Sequence, residues 1–425
     1  MAPPRLKGFR QTTKVETALT MFFDNVTLRR LSPELVSLDE ALGRISAEDI
    51  VSKNNVPSYD RAAMDGYAVV AADTFGASQT APALLSIVCR GDMKKPHGSR
   101  FDTGKAAEIN TGEVLPAGAD AVVMLEYVRK IDEKQIEVLA PVTPNENVSK
   151  AGEDIPIGDL VLRQGTRLKP PDVAMLAALS TGMIQVVRRP KIAIVCTGNE
   201  LVELSEPVDH GKIVNTNRFL LSALIQQLGA SPIYLGIARD SIEDIARLIR
   251  IGLTGADVLL VTGGTSVGAR DLVPEAINSV GKPGMIVHGI SIRPGMPTGL
   301  ASVDRKPVVS LPGQPVAAMI GFEMLVRPLI LCLLGTEDEP KASVKAKMSR
   351  RVASAVGMRT FLRVNTRETD GTYFADPITT AGSGILSSMT RANGIVVIPE
   401  DKEGIEVGEE VTVMLFRPVG RTKND

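Results

Sequence analysis

The sequence predicts a multidomain α/β protein whose largest domain is built on a mostly parallel sheet. The chain has 425 residues, which is more than one hydrophobic core usually serves, so we expect about two to four domains. Between Arg189 and Gly335, short apolar runs alternate with amphipathic segments of helical spacing, which is the pattern of repeated β-α units. Short β-type runs broken by glycine and proline lie before and after this segment.

The composition excludes several classes of protein. Lys and Arg number 48 against 49 Asp and Glu, so the chain lacks the basic field of a dedicated nucleic-acid binder. The three cysteines lie far apart, which argues against a disulfide framework and a Cys/His zinc site. The N-terminal residues carry no apolar signal core, and the most apolar stretch, Ala317 to Gly335, is interrupted by charges and a proline. We therefore expect a cytoplasmic protein with no nucleic-acid partner and no membrane span.

The N-terminal part is predicted to contain a helix followed by a β-rich module. Residues 14 to 50 have apolar positions at helical spacing and few breakers, beginning after Thr13. From about Val51 to Lys150, short β-type runs are separated by Pro, Gly, Asp and Asn. A second helix is expected from Pro170-Pro171 to near Gly182, because proline favours the start of a helix and glycine its end.

The central segment alternates strands and helices in a regular series. Strands are predicted in the peptides KIAIVC, PIYLGIA, DVLLV and PVVS, and helices in RFLLSALIQQLG, IEDIARLIRIG, a short segment after DVLLV and a long apolar segment after PVVS. Ser241 with Asp244 fits a helix N-terminus, and Gly229 fits a helix C-terminus. Consecutive β-α units pair their strands in parallel, so helices should cover both faces of the sheet.

The C-terminal segment is predicted to be a small β-barrel or β-sandwich. After Glu337 to Pro340, short alternating runs such as FLRV, GIVVIPE and EVTVMLF are separated by glycine-rich turns. The segment from Lys341 to Arg367 contains eight Lys or Arg and no Asp or Glu. This stretch indicates either a local positive surface or an ordinary solvated rim.

Polar loops are predicted to gather at one edge of the parallel sheet, because ligands of open α/β sheets bind beyond the carboxyl ends of the strands. Each predicted strand is followed by polar, small or acidic residues, in the segments Thr197 to Glu200, Arg239-Asp240, Thr262 to Asp271 and Leu311 to Pro315. The glycines of the third segment, with its hydroxyls, indicate either a phosphate loop or only a tight turn. Glu200, Asp240 and Asp271 would repel one another there unless a cation such as Mg²⁺ lay between them, although each alone would serve as a helix cap or surface charge.

Nine peptides, in order along the chain, resemble the molybdopterin molybdenumtransferase family, whose eukaryotic relatives include the C-terminal part of gephyrin. They are PSYDRAAMDGYAV, INTGEVLPAGADAVVMLE, AGEDI, CTGNEL, TGGTSVGARD, IRPGMP, SLPGQPV, AGSGILSSM and ANGIVVIPE. The resemblance covers nearly the whole chain, from about residue 12 to 416.

The resemblance implies four structural parts and a reaction. The parts are an elongated N-terminal domain in two stretches, 1–54 and 151–187, an inserted β-rich domain, 55–150, a molybdopterin-binding α/β domain, 188–337, and a C-terminal β-barrel, 338–425. Family members insert molybdate (or tungstate) into adenylylated molybdopterin and release AMP in a step that needs Mg²⁺. The resemblance also implies a homodimer with a cleft shared between subunits, and molybdopterin adenylyltransferase as the upstream partner.

By motif position, the resemblance assigns roles to residues of three domains. The catalytic assignments are Asp60 and Thr111 of the inserted domain and Glu200, Asp240 and Asp271 of the α/β domain, the last three as Mg²⁺ ligands. Residues implied in binding pterin or phosphate are Thr197, Gly198, Gly263, Gly264, Ser266, Gly268, Arg293, Pro312, Gly313, Pro315, Arg363 and Ser383. Arg293-Pro294-Gly295-Met296-Pro297 stands where the family commonly has Lys-Pro-Gly-Lys-Pro, so one cation is altered and one is lost. This departure leaves the choice between molybdate and tungstate open.

Two other functions stay open at this point. Similar α/β domains occur in nucleotide pyrophosphatases of the competence-damage type, which do not carry the MDGYA and AGSG peptides together. Gephyrin also acts as a scaffold, so a non-catalytic assembly module is an alternative, although three retained acids make it less attractive.

Overall fold

The computed structural model describes residues 12–88, 102–264, 272–378 and 385–421. The chain divides into two compact units, and the first contains the described residues up to 34, residues 43–45 and those from 187 onward. The second unit contains residues 35–42 and 46–186. The finer division into four domains stays a prediction.

The helices of the described residues are distributed unevenly, and most lie in the first unit. They are α1 Val15–Asn25, α2 Pro170–Ala178, α3 Thr216–Gln227, α4 Ile242–Gly255, α5 Leu272–Val280, α6 Pro315–Gly321, α7 Arg327–Leu334 and α8 Ser387–Arg391. A π-helical segment, Phe322–Val326, joins α6 to α7. The resulting helix, Pro315–Leu334, is long and apolar enough to cross a membrane. Its side chains such as Phe322 and Ile330 are fully buried in the first unit, which is the packing of a core helix.

The second unit is built on a six-stranded sheet, in the order β4-β1-β3-β2-β6-β5. Its strands are β1 Gly66–Val69, β2 Ala83–Ile87, β3 Lys105–Ile109, β4 Ala121–Met124, β5 Val128–Lys130 and β6 Gln135–Val138. Strands β2 and β3 pair in parallel and the other neighbours are antiparallel. Both faces are buried, since neighbouring residues Val122 and Val123 belong to different apolar clusters. The β-rich character predicted for this region is therefore present.

Short ladders and α2 complete the second unit. Ile50–Val51 pairs with Leu160–Leu162, Arg61–Ala62 pairs with Val148–Ser149, and Pro33–Ser37 pairs with Met183–Val187. Helix α2 starts at Pro170 as predicted but ends at Ala178, before Gly182. The left-handed residue that follows it is Ser180, with φ of 59°.

The prediction of helix over residues 14 to 50 is wrong beyond Asn25, where α1 ends. The chain passes from the first unit to the second at residue 34, so its apolar residues serve two separate cores. Phe22 is buried on α1, whereas Val36 packs with Leu176 in the second unit. The helix also begins one residue later than expected, because Thr13 forms a β-bridge with Ile290 and Lys14 is the N-cap.

The first unit contains the predicted α/β sheet, in the order β8-β7-β9-β12-β11-β10. Its strands are β7 Lys191–Thr197, β8 Ser231–Ala238, β9 Val258–Thr262, β10 Pro283–His288, β11 Gly299–Val303 and β12 Lys306–Leu311. Strands β8, β7, β9 and β12 are parallel, which confirms the mostly parallel sheet. Strands β10 and β11 add an antiparallel edge that the sequence analysis missed, because no amphipathic helix separates them.

Helices cover both faces of this sheet. Ala193 and Val195 of β7 pack against Ile245 of α4 and Ile277 of α5. The alternate residues of β7 face the opposite side and are also fully buried, where α3 contacts β7, β8 and α6. The predicted helix ends are confirmed, since Ser241 accepts a hydrogen bond from the backbone N–H of Asp244 at 3.2 Å and Gly229 has φ of 85°.

The C-terminal strands close into a barrel, which decides between the two predicted forms. They are β13 Ser343–Met348, β14 Arg359–Thr369, β15 Thr372–Pro377, β16 Gly394–Ile398 and β17 Glu410–Leu415. Pairing runs β14-β15-β13-β17-β16 and returns to β14. A short strand, Ile292–Arg293, leaves the α/β sheet and pairs in parallel with the start of β14. This pairing brings the barrel beside the polar edge of the α/β sheet.

Candidate active site

A cavity of about 1180 Å³ lies in the first unit at the carboxyl ends of β7, β9 and β12. This is the edge at which open α/β sheets bind ligands, and the volume is sufficient for a nucleotide-sized molecule. The strand-end residues that line it include Thr197, Glu200, Thr262, Gly263, Gly264, Pro312, Gly313 and Pro315. The segment from Ile292 to Pro297 lines another wall, and the barrel adds Met358, Phe361 and Arg363. These strand-end residues therefore meet around one cavity with Arg293, whereas the predicted Gly198 is not part of its lining.

Glycines at the cavity floor allow three strands to approach closely. Gly263 has φ of 99°, and a Cβ there would lie 2.3 Å from the carbonyl oxygen of Thr197. The N–H of Gly263 donates to the carbonyl of Leu311 at 3.1 Å, and the hydroxyl of Thr262 donates to the carbonyl of Pro312 at 3.0 Å. These two donors hold the sheet edge together and are not free for a phosphate. Of the predicted phosphate loop, Ser266 and Gly268 lie outside the described residues.

Glu200 is the predicted acid that lines the cavity. A Cβ on Gly198 would lie 2.5 Å from Oε1 of Glu200, so the carboxylate folds back over the glycine of its own loop. The carbonyl of Glu200 accepts a hydrogen bond from the backbone N–H of Ile213 at 2.9 Å. Both contacts hold the residue at the end of β7.

Asp240 is absent from the cavity wall and instead links two strand-end loops. Its Oδ2 accepts from the backbone N–H of Asn199 at 3.1 Å, and its own N–H donates to Oδ1 of Asn199 at 3.2 Å. Asp271, the third predicted acid, lies outside the described residues. Within the described ranges, no group of three or more His, Cys, Asp or Glu side chains is placed to hold a metal ion. The Mg²⁺ site with three carboxylates therefore stays a prediction.

Arg363 is a buried cation in the cavity wall. Its side chain belongs to a residue only 3% exposed, and Nη1 reaches the carbonyl of Phe361 at a long 3.5 Å. In the part of the chain that the structure describes, Nε and Nη2 have no hydrogen-bond partner. Burial lowers the pKa of Arg363, because the charged form loses its hydration. A buried guanidinium without a counter-charge is costly, so this wall is suited to an anion.

The rest of the basic stretch is partly paired with acidic side chains. Lys341, Arg359 and Arg367 form ion pairs of 2.8, 2.8 and 2.9 Å with acids outside the stretch. Those acids are Glu323, Glu400 and Asp376 respectively. Lys345, Lys347 and Arg350 are exposed, so the predicted local positive surface is reduced rather than removed. Arg363 is the cation of the stretch that lines the cavity. Ser383, the other predicted barrel residue, lies outside the described residues.

A polar network behind the cavity was not predicted from the sequence. Asn215 caps α3 by accepting from the backbone N–H of Arg218 at 3.2 Å, and it donates to the hydroxyl of Tyr234 at 3.0 Å. The Arg218 guanidinium lies 4.4 Å from the Tyr234 ring centroid and pairs with Glu203 at 2.8 Å. Burial raises the pKa of the Cys196 thiol to about 12, against the opposing effect of its hydrogen bond to Asn215. Cys196 is therefore a structural thiol of the cavity floor rather than a nucleophile.

The second unit holds the remaining predicted residues in two exposed turns. Asp60 accepts from Nζ of Lys150 at 2.7 Å and from the N–H of Ala151 at 2.8 Å, and these bonds lower its pKa. Thr111 donates its N–H and its hydroxyl to the same oxygen, Oδ1 of Asp65, each at 2.7 Å. The two bonds from Thr111 lower the pKa of Asp65. Asp65, which the sequence analysis did not select, is thus the acid that positions Thr111.

Known families and structures resemble this chain over most of its length. The MoeA N-terminal region (domains I and II) matches residues 13–180, a probable molybdopterin binding domain matches 193–331, and the MoeA C-terminal region (domain IV) matches 345–416. A putative molybdopterin biosynthesis protein of Methanocaldococcus jannaschii is 39% identical over 390 residues, which cover 90% of this chain and 92% of that protein. The molybdopterin molybdenumtransferase of Bacillus subtilis is 32% identical over 387 residues, or 90% of each chain.

A solved structure agrees with these sequence matches. The crystal structure of a molybdopterin biosynthesis MoeA protein from Pyrococcus horikoshii OT3 has a TM-score of 0.80 and 34% identity, and the match covers 96% of this chain and 100% of that one. The matches run in chain order through both units and the barrel. The chain therefore belongs to the molybdopterin molybdenumtransferase family.

Proposed function

We propose that this protein inserts molybdate, or tungstate, into adenylylated molybdopterin and releases AMP. Its relatives in Bacillus subtilis and Haemophilus influenzae are named for molybdopterin molybdenumtransferase activity. The observation that carries the proposal is the buried guanidinium of Arg363, unpartnered among the described residues, in the wall of a cavity formed by the sheet edge and the barrel. Both substrates of the proposed reaction are anions, and either would supply the missing counter-charge.

The cavity walls offer both charged groups and apolar surface to a ligand. Arg363 binds an anionic oxygen, and Arg293 adds a second guanidinium to the lining. Met296, Met358 and Phe361 form apolar surface suited to a planar ring. Met296 carries no charge where the family commonly has lysine, so the oxyanion is held with one cation fewer in this segment. Direct titration with both oxyanions decides the preference between molybdate and tungstate.

The proposed reaction uses Mg²⁺, and the donor chemistry of the cavity fits this ion. Glu200 presents a carboxylate in the lining, and Mg²⁺ prefers such oxygen ligands together with retained water. Asp240 and Asp271 are the further ligands that we propose. When bound, Mg²⁺ neutralises negative charge on the phosphates as AMP leaves.

We also propose a homodimer in which Asp65, Thr111 and Asp60 of one subunit serve the cleft of the other. Large apolar side chains at the surface of the second unit support this, with Leu42 58% and Ile157 65% exposed. Light scattering should give the mass of a dimer, and a strict monomer would contradict a shared cleft. A molybdopterin adenylyltransferase, in the same cytoplasmic compartment, is the partner that would supply the substrate.

The decisive experiment measures AMP release from adenylylated molybdopterin with and without molybdate. We expect release to need both molybdate and Mg²⁺, and Glu200→Gln to slow it by about 100-fold without unfolding the protein, since the amide keeps the shape of the carboxylate. Glu243→Gln, in the first turn of α4 and outside the cavity lining, is the matched control and should release AMP normally. AMP release that is independent of molybdate would instead identify a nucleotide pyrophosphatase, and no release at all would favour a scaffold.

A further inference from the structure

Asn217, near the start of α3, occupies the cavity floor with only one end of its amide satisfied. The residue is 6% exposed and lines the cavity. Its Nδ2 donates to Oγ1 of Thr262 at 2.8 Å and to the carbonyl of Gly313 at 2.9 Å. These bonds join α3 to the ends of β9 and β12.

The chemistry of its partners fixes which way the Asn217 amide points. The carbonyl of Gly313 can only accept a hydrogen bond. The hydroxyl of Thr262 already gives its proton to the carbonyl of Pro312 at 3.0 Å, so it must accept from Asn217. Reversing the amide would place an oxygen against two acceptors. Oδ1 therefore faces away from them, and it has no hydrogen-bond partner among the described residues.

Thr197 places a second unsatisfied group on the same floor. It is 2% exposed, lines the cavity, and has no partner for its hydroxyl within the described ranges. A Cβ on Gly263 or Gly264 would lie 2.8 or 3.0 Å from this hydroxyl, so two glycines flank it. Gly313, which Asn217 binds, also lies beside Gly263, since a Cβ on Gly313 would lie 3.4 Å from Cα of Gly263. Buried polar groups are rarely left unpaired, so these two groups are suited to pair with a ligand.

We propose that Asn217 and Thr197 form a neutral subsite that receives a hydroxyl or N–H group of the ligand. The free atom of Asn217 is an acceptor, so it binds a donor and repels the oxygens of phosphate or molybdate. Anionic oxygens of the ligand bind at Arg363, whereas an uncharged donor group of the ligand binds at Asn217 and Thr197. The inference rests on the proposed function for the identity of the ligand, in which the candidate donors are the ribose hydroxyls, the adenine amino group and the N–H groups of the pterin.

The test is Thr197→Val, which removes the hydroxyl and keeps the shape of the side chain. Calorimetric titration with AMP and with adenylylated molybdopterin should show binding weakened about tenfold, the effect of one hydrogen bond. The free energy of unfolding should stay the same or rise, because the lost hydroxyl has no protein partner within the described ranges. A merely structural threonine would show the reverse, lower stability with unchanged binding.

Thr74→Val is the matched control in the second unit. The buried Thr74 hydroxyl donates to the carbonyl of Ala71 at 2.7 Å and accepts from the N–H of Val142 at 3.0 Å, so its loss should reduce stability and leave binding unchanged.

The two ligands identify the donor. Weaker binding of both ligands to Thr197→Val assigns it to the nucleotide part of the ligand. Binding of 2′-deoxy-AMP and 3′-deoxy-AMP to wild-type protein then separates the ribose hydroxyls from the adenine amino group. Weaker binding of adenylylated molybdopterin alone assigns the donor to the pterin. Equal binding of both ligands by wild type and Thr197→Val overturns the subsite. Failure of wild-type protein to release AMP with molybdate would instead refute the proposed function, and that assay uses no Thr197 variant.

Discussion

The cavity of the first unit and the exposed turns of the second differ in how fully the protein pairs their polar groups. In the cavity, Arg363 and Thr197 are buried with polar atoms that have no partner among the described residues. In the turns, Asp60 and Asp65 each accept two hydrogen bonds from the protein, and they face water. The polar atoms of the cavity are thus available to hydrogen-bond to a ligand, whereas those of the turns are already paired within the protein.

The two arrangements differ in their effect on the stability of the fold, because their solvent exposure differs. The Asp60 side chain is 38% exposed, so water stabilises its charge and the ion pair with Lys150 adds little. Arg363 has almost no contact with water, so an unpaired charge there lowers the stability of the empty protein. Binding sites commonly carry such a cost, which the ligand offsets.

The largest expected effect is on substrate binding, and it distinguishes Arg363 from Arg359, both in β14. Arg363→Met should weaken binding of adenylylated molybdopterin by roughly 10- to 100-fold, because a charge-assisted hydrogen bond is lost. The free energy of unfolding should stay unchanged or rise by about 1 kcal/mol, because an apolar chain replaces a buried, unpaired charge. Calorimetry and urea unfolding measure the two quantities.

Arg359→Met is the control for this contrast. Arg359 pairs with Glu400, whose side chain is 18% exposed, so its loss should reduce stability by about 1 to 2 kcal/mol after allowing for partial solvation. Substrate binding should be unchanged, since Arg359 does not line the cavity. If Arg363→Met destabilised the protein as Arg359→Met does, the contrast between an unpaired and a paired cation would fail.

An intermediate effect is expected at the turns. Asp65→Ala removes the acceptor of both Thr111 hydrogen bonds and should slow AMP release by about tenfold, because Thr111 loses its position. Asp60→Ala, which breaks a contact with Lys150, should have a smaller effect. The rates of AMP release by the two variants show which substitution has the larger effect. A slower rate in Asp60→Ala than in Asp65→Ala would show that Asp60 has the more important role.

The smallest effect is a pH dependence confined to the turns. The pKa of Asp65 is lowered in the folded protein by the N–H and then the hydroxyl of Thr111. The stabilisation that ionised Asp65 gives to the turn is therefore fully present above the pKa of the unfolded chain, about 3.9. It is lost as the pH falls through the lower pKa of the folded protein. The hydrogen-exchange protection factor of the Thr111 amide should be constant from about pH 8 to 5 and fall below about pH 4. The same fall in Asp65→Ala would show that another group titrates.

The residues that sequence analysis found and those it missed differ in where their partners lie. Glu200 follows a predicted strand, and the rule that ligands bind at strand ends placed it in the cavity. Asp240 obeys the same rule, yet its carboxylate turns to Asn199, because the rule does not say which way a loop side chain points. Asn217 precedes the predicted helix RFLLSALIQQLG and was not selected, since its partners Thr262 and Gly313 are 45 and 96 residues away.

By itself, the sequence determined the family, the β-α series of the first unit, the β-rich second unit and the strand-end loops from which a site would be built. Those features follow from local periodicity and from motifs of neighbouring residues. Only the tertiary structure decided that the C-terminal strands close into a barrel and that Asp65 holds Thr111. It also decided that Arg363 and Asn217 are buried with polar atoms that have no partner among the described residues. Pairing and burial depend on which distant segments meet, and that is a property of the packed chain rather than of any short stretch of it.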